Sequence, residues 1–261
     1  MKYTGLKNNY IDVEGSFGGN QEWLKEEGRP WKGRAISGYG CGLIGASDLL
    51  LHVLGRDIIS QGAVEKRSEN EKESTSGSAD ISLIERENYI RFIQFMERRY
   101  FHIFPKLGLS GILLALGLNL YFLIHRKMIK QQSGCTYHAR WAVWPSRMLD
   151  TIKSMLDDDI PVILSIGPGF FRKNKLKFYR KNKNASGEDT YKAVTETKDH
   201  YVTVTGVIEA KLQDKNDITL LEISSWGKKY YVNYSEYQAF VRKNDNYYFS
   251  NILYIKKKPL S

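Results

Sequence analysis

Between Cys41 and Leu54 the apolar residues Leu43, Ile44, Ala46, Leu50, Leu51 and Leu54 recur at helical spacing, with Ser47 and Asp48 between them. The pattern predicts a buried helix that starts near Cys41 and ends near Gly55. Residues 1–40 are punctuated by glycines and one proline and are expected to be mostly irregular, apart from a short helical turn at Gln21–Leu24. Residues 61–80 are almost wholly polar and read as a solvated insertion. Over 81–99, Ile84, Tyr89, Phe92, Ile93, Phe95 and Met96 stand among charges, which predicts an amphipathic helix. Residues 107–124 form an uncharged apolar run flanked by Lys106 and by His125-Arg126-Lys127. Gly108, Ser110, Gly111, Gly117 and Asn119 interrupt it. That favours a loop followed by a buried core helix of roughly thirteen residues over a membrane span.

The second half changes period. Met148, Leu149, Ile152, Met155 and Leu156 predict a helix over 145–157, and Pro161–Ile166 a short buried strand. Residues 172–183 carry seven basic residues and no acid, and are read with 184–197 as a solvated loop. His200–Ile208 alternates as a strand. A polar turn then leads to a second strand at Ile218–Ile223, the two forming a hairpin. Ser224-Ser225-Trp226-Gly227 follows, then a strand at Tyr230–Val232, a helix over 234–242 and a last strand over 249–256. The fold class expected is α+β: one domain over 1–261, mainly helical over 1–157 and mainly antiparallel β over 158–261.

Charge and composition narrow the chemistry. The net charge of +10 and pI of about 9.3 admit an acidic substrate. No helix-turn-helix, RNA-binding signature or zinc spacing accompanies the basic stretches, so neither nucleic acid nor membrane is the expected partner. Cys41 and Cys135 cannot build a disulfide framework, and reduced thiols are expected. Cys135 and His138 make only two ligands, so no metal and no cofactor are expected. The N-terminus has no apolar stretch before a cleavage site, which points to the cytoplasm.

Cys41 stands between Gly40 and Gly42 at a predicted helix start, where free N–H groups and the dipole favour a thiolate. A nucleophilic cysteine needs a base, an orienting group and oxyanion donors. Of the five histidines, His52 lies three turns along the same helix, and His102 and His125 bound the apolar run. His200 opens a strand and has a rigid mount. The order Cys41, then Asp199-His200-Tyr-Val-Thr-Val-Thr-Gly206, then Ser224-Ser-Trp-Gly227 resembles the papain-like cysteine peptidase superfamily, including its bacterial C39-like branch. Ile152–Ser165 resembles the segment those bacterial members carry before the His strand.

The resemblance implies a helical half bearing Cys41 packed on a mainly antiparallel sheet bearing His200, with the site in the cleft. It implies Cys41 as nucleophile, His200 as base and Ser224 in place of the family's orienting Asn, with Trp226 covering the His200–Ser224 contact. The substrate would be a peptide or amide, hydrolysed or transferred through a thioester. The family's Gln, about six residues before the cysteine, falls on Ala35, and Arg34, Ile36 and Ser37 offer no substitute. The Cys41 N–H, reached through Gly40, is left as oxyanion donor, with Tyr39 or the more distant Gln21 beside it. A degenerate member that only binds, and a basic nucleic-acid or anionic-membrane binder using residues 172–183 and the C-terminal lysines, are the competing readings.

Overall fold

The computed structural model describes residues 1–25, 36–60, 83–104, 108–167, 174–184, 186–211, 217–244 and 246–259. The polar insertion at 61–80, and Arg34 and Ala35, lie outside them. Eleven strands and six α-helices are labelled here in chain order. The strands are β1 (Lys2–Gly5), β2 (Asp12–Val13), β3 (Ser16–Phe17), β4 (Cys135–Trp141), β5 (Val162–Ile166), β6 (Leu176–Lys183), β7 (Asp189–Thr197), β8 (His200–Lys211), β9 (Asp217–Ser225), β10 (Lys228–Asn233) and β11 (Ile252–Pro259). The helices are α1 (Cys41–Leu54), α2 (Arg86–Arg99), α3 (Gly111–Ile124), α4 (Arg126–Ser133), α5 (Met148–Asp157) and α6 (Tyr234–Asn244).

Nine strands make one antiparallel sheet, ordered β4-β11-β5-β8-β9-β10-β6-β7, with β1 on β8 beyond the end of β5. The architecture is mixed helix and antiparallel sheet, α+β as the pattern predicts. Period-two alternation explains its layering. Ile163, Leu253 and Ile255 face α1, α2 and α3, whereas Val162, Leu164, Ile166, Val202, Leu221 and Ile223 face α5 and α6. Strand β5 is buried on both faces, which is why it reads as an unbroken apolar run.

The first part is less purely helical than expected, because β1 and β4 join the main sheet through β8 and β11. The stretch 172–197 needs a larger correction. Arg172 and Lys173 lie outside the described residues, but 176–183 and 189–197 are the paired strands β6 and β7. Leu176 and Phe178 are buried on one side of a ribbon whose remaining positions are mostly exposed and polar or charged. Lys181–Asp189 at 2.7 Å and Lys175–Glu196 at 3.1 Å tie it across. The apolar run holds the expected helix, α3 (Gly111–Ile124), but it is only half buried rather than a core helix. Leu114, Leu118, Tyr121 and Phe122 face the core, while Leu116 and Leu123 are 58% and 66% exposed. No single helix among the described residues is long and apolar enough to cross a membrane.

Candidate active site

Cys41 is the first residue of α1, and Gly40 precedes it at the cap. The first three N–H groups of a helix have no carbonyl within it to bond, and Ile44 is the first in α1 to find one, at Gly40 O, 3.0 Å away. Glycine places the helix. A Cβ on Gly42 would lie 2.9 Å from Leu114 Cδ1 and 3.2 Å from the Tyr201 ring, and one on Gly45 would lie 3.3 Å from Thr203 Oγ1. Two bare positions one turn apart thus let α1 press against β8. The half-buried Cys41 Sγ then accepts a hydrogen bond from the Tyr201 N–H at 3.4 Å. Since Tyr201 follows His200 directly, the sulfur lies within about 6 Å of the His200 Cα.

His200 opens β8 after Asp199, whose φ is +55°. Its imidazole is buried, and Nε2 lies 2.8 Å from Ser225 Oγ. The ring is covered by Trp226, stacked at 4.5 Å between centroids. Trp226 and Gly227 are the two-residue link between β9 and β10, at φ +50° and +68°, with Ser225 paired to Lys228. Both residues at positive φ is the geometry that matches the strand twist in a two-residue hairpin. Glycine adopts it freely; tryptophan does so at a cost of about 1 kcal/mol or more.

The hydroxyl that meets the His200 ring is that of Ser225, and Ser224, expected there, does not reach it. Side chains alternate along β9, and Ser225 is in phase with Ile223 and Leu221, on the face that Val202 and His200 share. Ser224 pairs with Thr203 and points the other way, donating to Phe17 O at 2.7 Å. Extending the strand alternation from Ile223 to Ser225 carries this distinction in the sequence.

Cys41, His200, Ser224, Ser225 and Trp226 line one cavity of ≈ 20 Å³, about the room a single water needs. Gln21 and Asp48 line it too. Among the described residues the hydrogen bonds of Cys41 and His200 run to Tyr201 and Ser225 rather than to each other. Gln21 Nε2 donates to Ser37 O at 2.8 Å, which uses one of its two amide protons and leaves one. Tyr39 and Gly40 are not on the cavity wall: Tyr39 is largely exposed, and Gly40 N–H bonds Ile36 O at 2.7 Å to close the turn before α1.

Asp48 is the residue that patterning along α1 passed over. It is buried two turns after Cys41 and accepts from Tyr89 OH at 2.6 Å, Gly19 N–H at 3.0 Å and Tyr10 OH at 3.1 Å. Burial pushes its carboxyl up to about 6 in spite of those three donors. It anchors a strap, Ser16–Asn20, that crosses the Trp226–Gly227 turn through Phe17 N–H to Gly227 O and Gly227 N–H to Gly19 O, both 3.0 Å. The strap delivers Gln21 to the cavity.

Burial lowers the His200 imidazole to about 4 and raises the Cys41 thiol, although the N–H groups of Tyr201, Gly42 and Cys41 itself pull the thiol back down. Both directions favour the uncharged forms, so at neutral pH the resting site is thiol plus neutral imidazole. Such a pair can pass a proton from sulfur to ring once an electrophile arrives, but does not store a thiolate. His52 is held elsewhere, with Nε2 3.4 Å from Asp159 Oδ1, and no three metal-ligating side chains cluster among the described residues. Comparison of the chain with protein-family models, with curated proteins and with solved structures finds no match.

Proposed function

We propose that this protein is a papain-like thiol-dependent amide hydrolase or acyltransferase with Cys41 as nucleophile and His200 as general base. The observation that carries the reading is the junction of α1 and β8. Cys41 at a helix N-terminus accepts from Tyr201 N–H, and the neighbouring His200 shares its cavity with Ser225 at 2.8 Å from Nε2. With Nε2–H donating to Ser225 Oγ, the lone pair is on Nδ1, the nitrogen free to take a proton. His200 removes the Cys41 proton as sulfur attacks a substrate carbonyl carbon. The oxyanion is received by the Cys41 N–H and the remaining Gln21 amide proton. His200 returns the proton to the leaving amine as the C–N bond breaks, giving a thioester. Water, deprotonated by His200, then releases the acid; an amine in its place gives transfer.

A binding module that retains the residues without turnover is the second reading, favoured by one observation: burial holds the thiol protonated and the ring neutral. Nitrophenyl acetate separates them. The hydrolase reading expects a burst of one nitrophenolate per chain and an acetyl group on Cys41 by mass spectrometry, both lost in His200→Ala. Acetylation of Cys41 at the same rate in His200→Ala, or no burst, overturns it.

A further inference from the structure

We propose that the exposed face of α3, with the basic surface beside it, docks this protein onto an anionic lipid bilayer, lying in the headgroup layer without crossing it. The inference stands apart from the hydrolase reading. Helix α3 is apolar all round, yet only one side is covered. Ile112, Leu113, Leu116, Leu120, Leu123 and Ile124 are each 39% to 66% exposed. At 3.6 residues per turn, these six fall within an arc of about 120°. They make a continuous stripe, where single exposed apolar residues would need no explanation.

The surroundings of the stripe select its partner. From Arg98 to Leu149 the chain contains no Asp or Glu, although the whole chain has 29. Helix α4 turns away from α3 by 78° and presents Arg126 and Lys127 at the bend. Strand β4 is tied to α3 by the Asn119 side chain, which bonds both the N–H and the carbonyl of Ala139. On β11 beside it, Lys257 lies opposite Tyr137 on the sheet face that Leu253 and Ile255 turn toward α3, while Arg140, Lys256 and Lys258 alternate to the other face. No carboxylate lies in α3, α4, β4 or β11. An aliphatic stripe flanked by Arg126, Lys127 and Lys257, in elements without a carboxylate, matches lipid acyl chains beneath anionic headgroups. Two copies meeting through this face would oppose like charges, and nucleic acid would leave six aliphatic side chains without a match. At 14 residues, α3 is about 21 Å long, short of the roughly 30 Å hydrocarbon core, so it lies along the surface.

The test is co-sedimentation of the full chain with vesicles of equimolar phosphatidylcholine and phosphatidylglycerol, against phosphatidylcholine alone. Binding is expected to the anionic vesicles, at least about tenfold weaker on the neutral ones, and to fall as salt rises. The double variant Leu116→Glu, Leu123→Glu changes solvent-facing side chains, and circular dichroism checks its fold. It should lower binding by about tenfold or more, and Arg126→Glu with Lys127→Glu should weaken it at low salt. Failure to sediment with anionic vesicles, or unchanged binding by the folded leucine double variant, overturns the proposal. So does a dimer in light scattering that the leucine substitutions abolish, since the stripe would then be a self-interface.

Discussion

Trp226 lies flat on the His200 imidazole, with ring centroids 4.5 Å apart and planes 14° from parallel. The indole is held there by a backbone at positive φ, where glycine would be at ease. The chain accepts that strain at the one turn where a flat apolar group screens the ring from water. Burial, to which the stacked indole contributes, lowers the imidazole to about 4.

The first prediction follows from that stack. In Trp226→Gly the turn relaxes while the ring loses its cover. The His200 titration, followed by NMR of its ring protons, should move from about 4 back toward 6.5. A midpoint that stays near 4 would show that Trp226 is not the group that dries the ring.

Ser224 and Ser225 make a second, paired prediction. Ser225→Ala leaves Nε2 without its 2.8 Å partner and should slow nitrophenyl acetate turnover by about tenfold to a hundredfold. Ser224→Ala breaks the bond to Phe17 O and should cost about 1 kcal/mol in urea denaturation, with turnover held within about twofold. The reverse pattern would return the orienting role to Ser224.

How far the chain announces this arrangement differs by element. Helix α1 and strand β8 are legible because their apolar residues recur at the period of the element, although both are buried on nearly every side. The β6–β7 ribbon is not, since its full burial is confined to Leu176 and Phe178 among lysines and its strands are held by pairing with each other and with β10, which no local period records. Gln21 lies twenty residues from Cys41, and the strap's bonds to Asp48, Ser224 and Gly227, with its own bond to Ser37 O, carry it to the cavity. Those are long-range contacts that no local pattern encodes. Asp48 looked like an ordinary polar residue in a helix because its three partners come from three separate segments. The exposed side of α3 is hidden for the opposite reason: with Asn119 as its only amide or charged side chain, the helix carries little mark of which side a core will cover.

Gly18 tests the strap. Its φ is +79°, and a Cβ there would lie 2.5 Å from Ser224 Oγ and 2.7 Å from Asp48 Oδ2. Gly18→Ala should destabilise by about 2–4 kcal/mol in urea denaturation. It should also slow turnover, because it lifts Gln21 and the cover of the hairpin turn together. Loss of less than about 0.5 kcal/mol would mean the strap moves freely.

The pH dependence of stability carries the last prediction, because His200 and Asp48 pull in opposite directions. His200 is lowered from 6.5 to about 4, so between those values the unfolded chain binds the extra proton. Its contribution is fully present above pH 6.5 and is lost as pH falls toward 4. Asp48 is raised from 3.8 to about 6, so the folded chain holds the extra proton. Its contribution is fully present below pH 3.8 and is lost as pH rises through 6. Each shift corresponds to about 3 kcal/mol, and the two windows overlap between pH 4 and 6, where they nearly cancel. Removing either partner exposes the other. Unfolding free energy from urea titrations should rise more steeply from pH 4 to 6.5 in Asp48→Asn than in the wild type, and should rise less, or fall, in His200→Gln. Parallel pH profiles for all three proteins would mean that neither group is shifted as its burial requires.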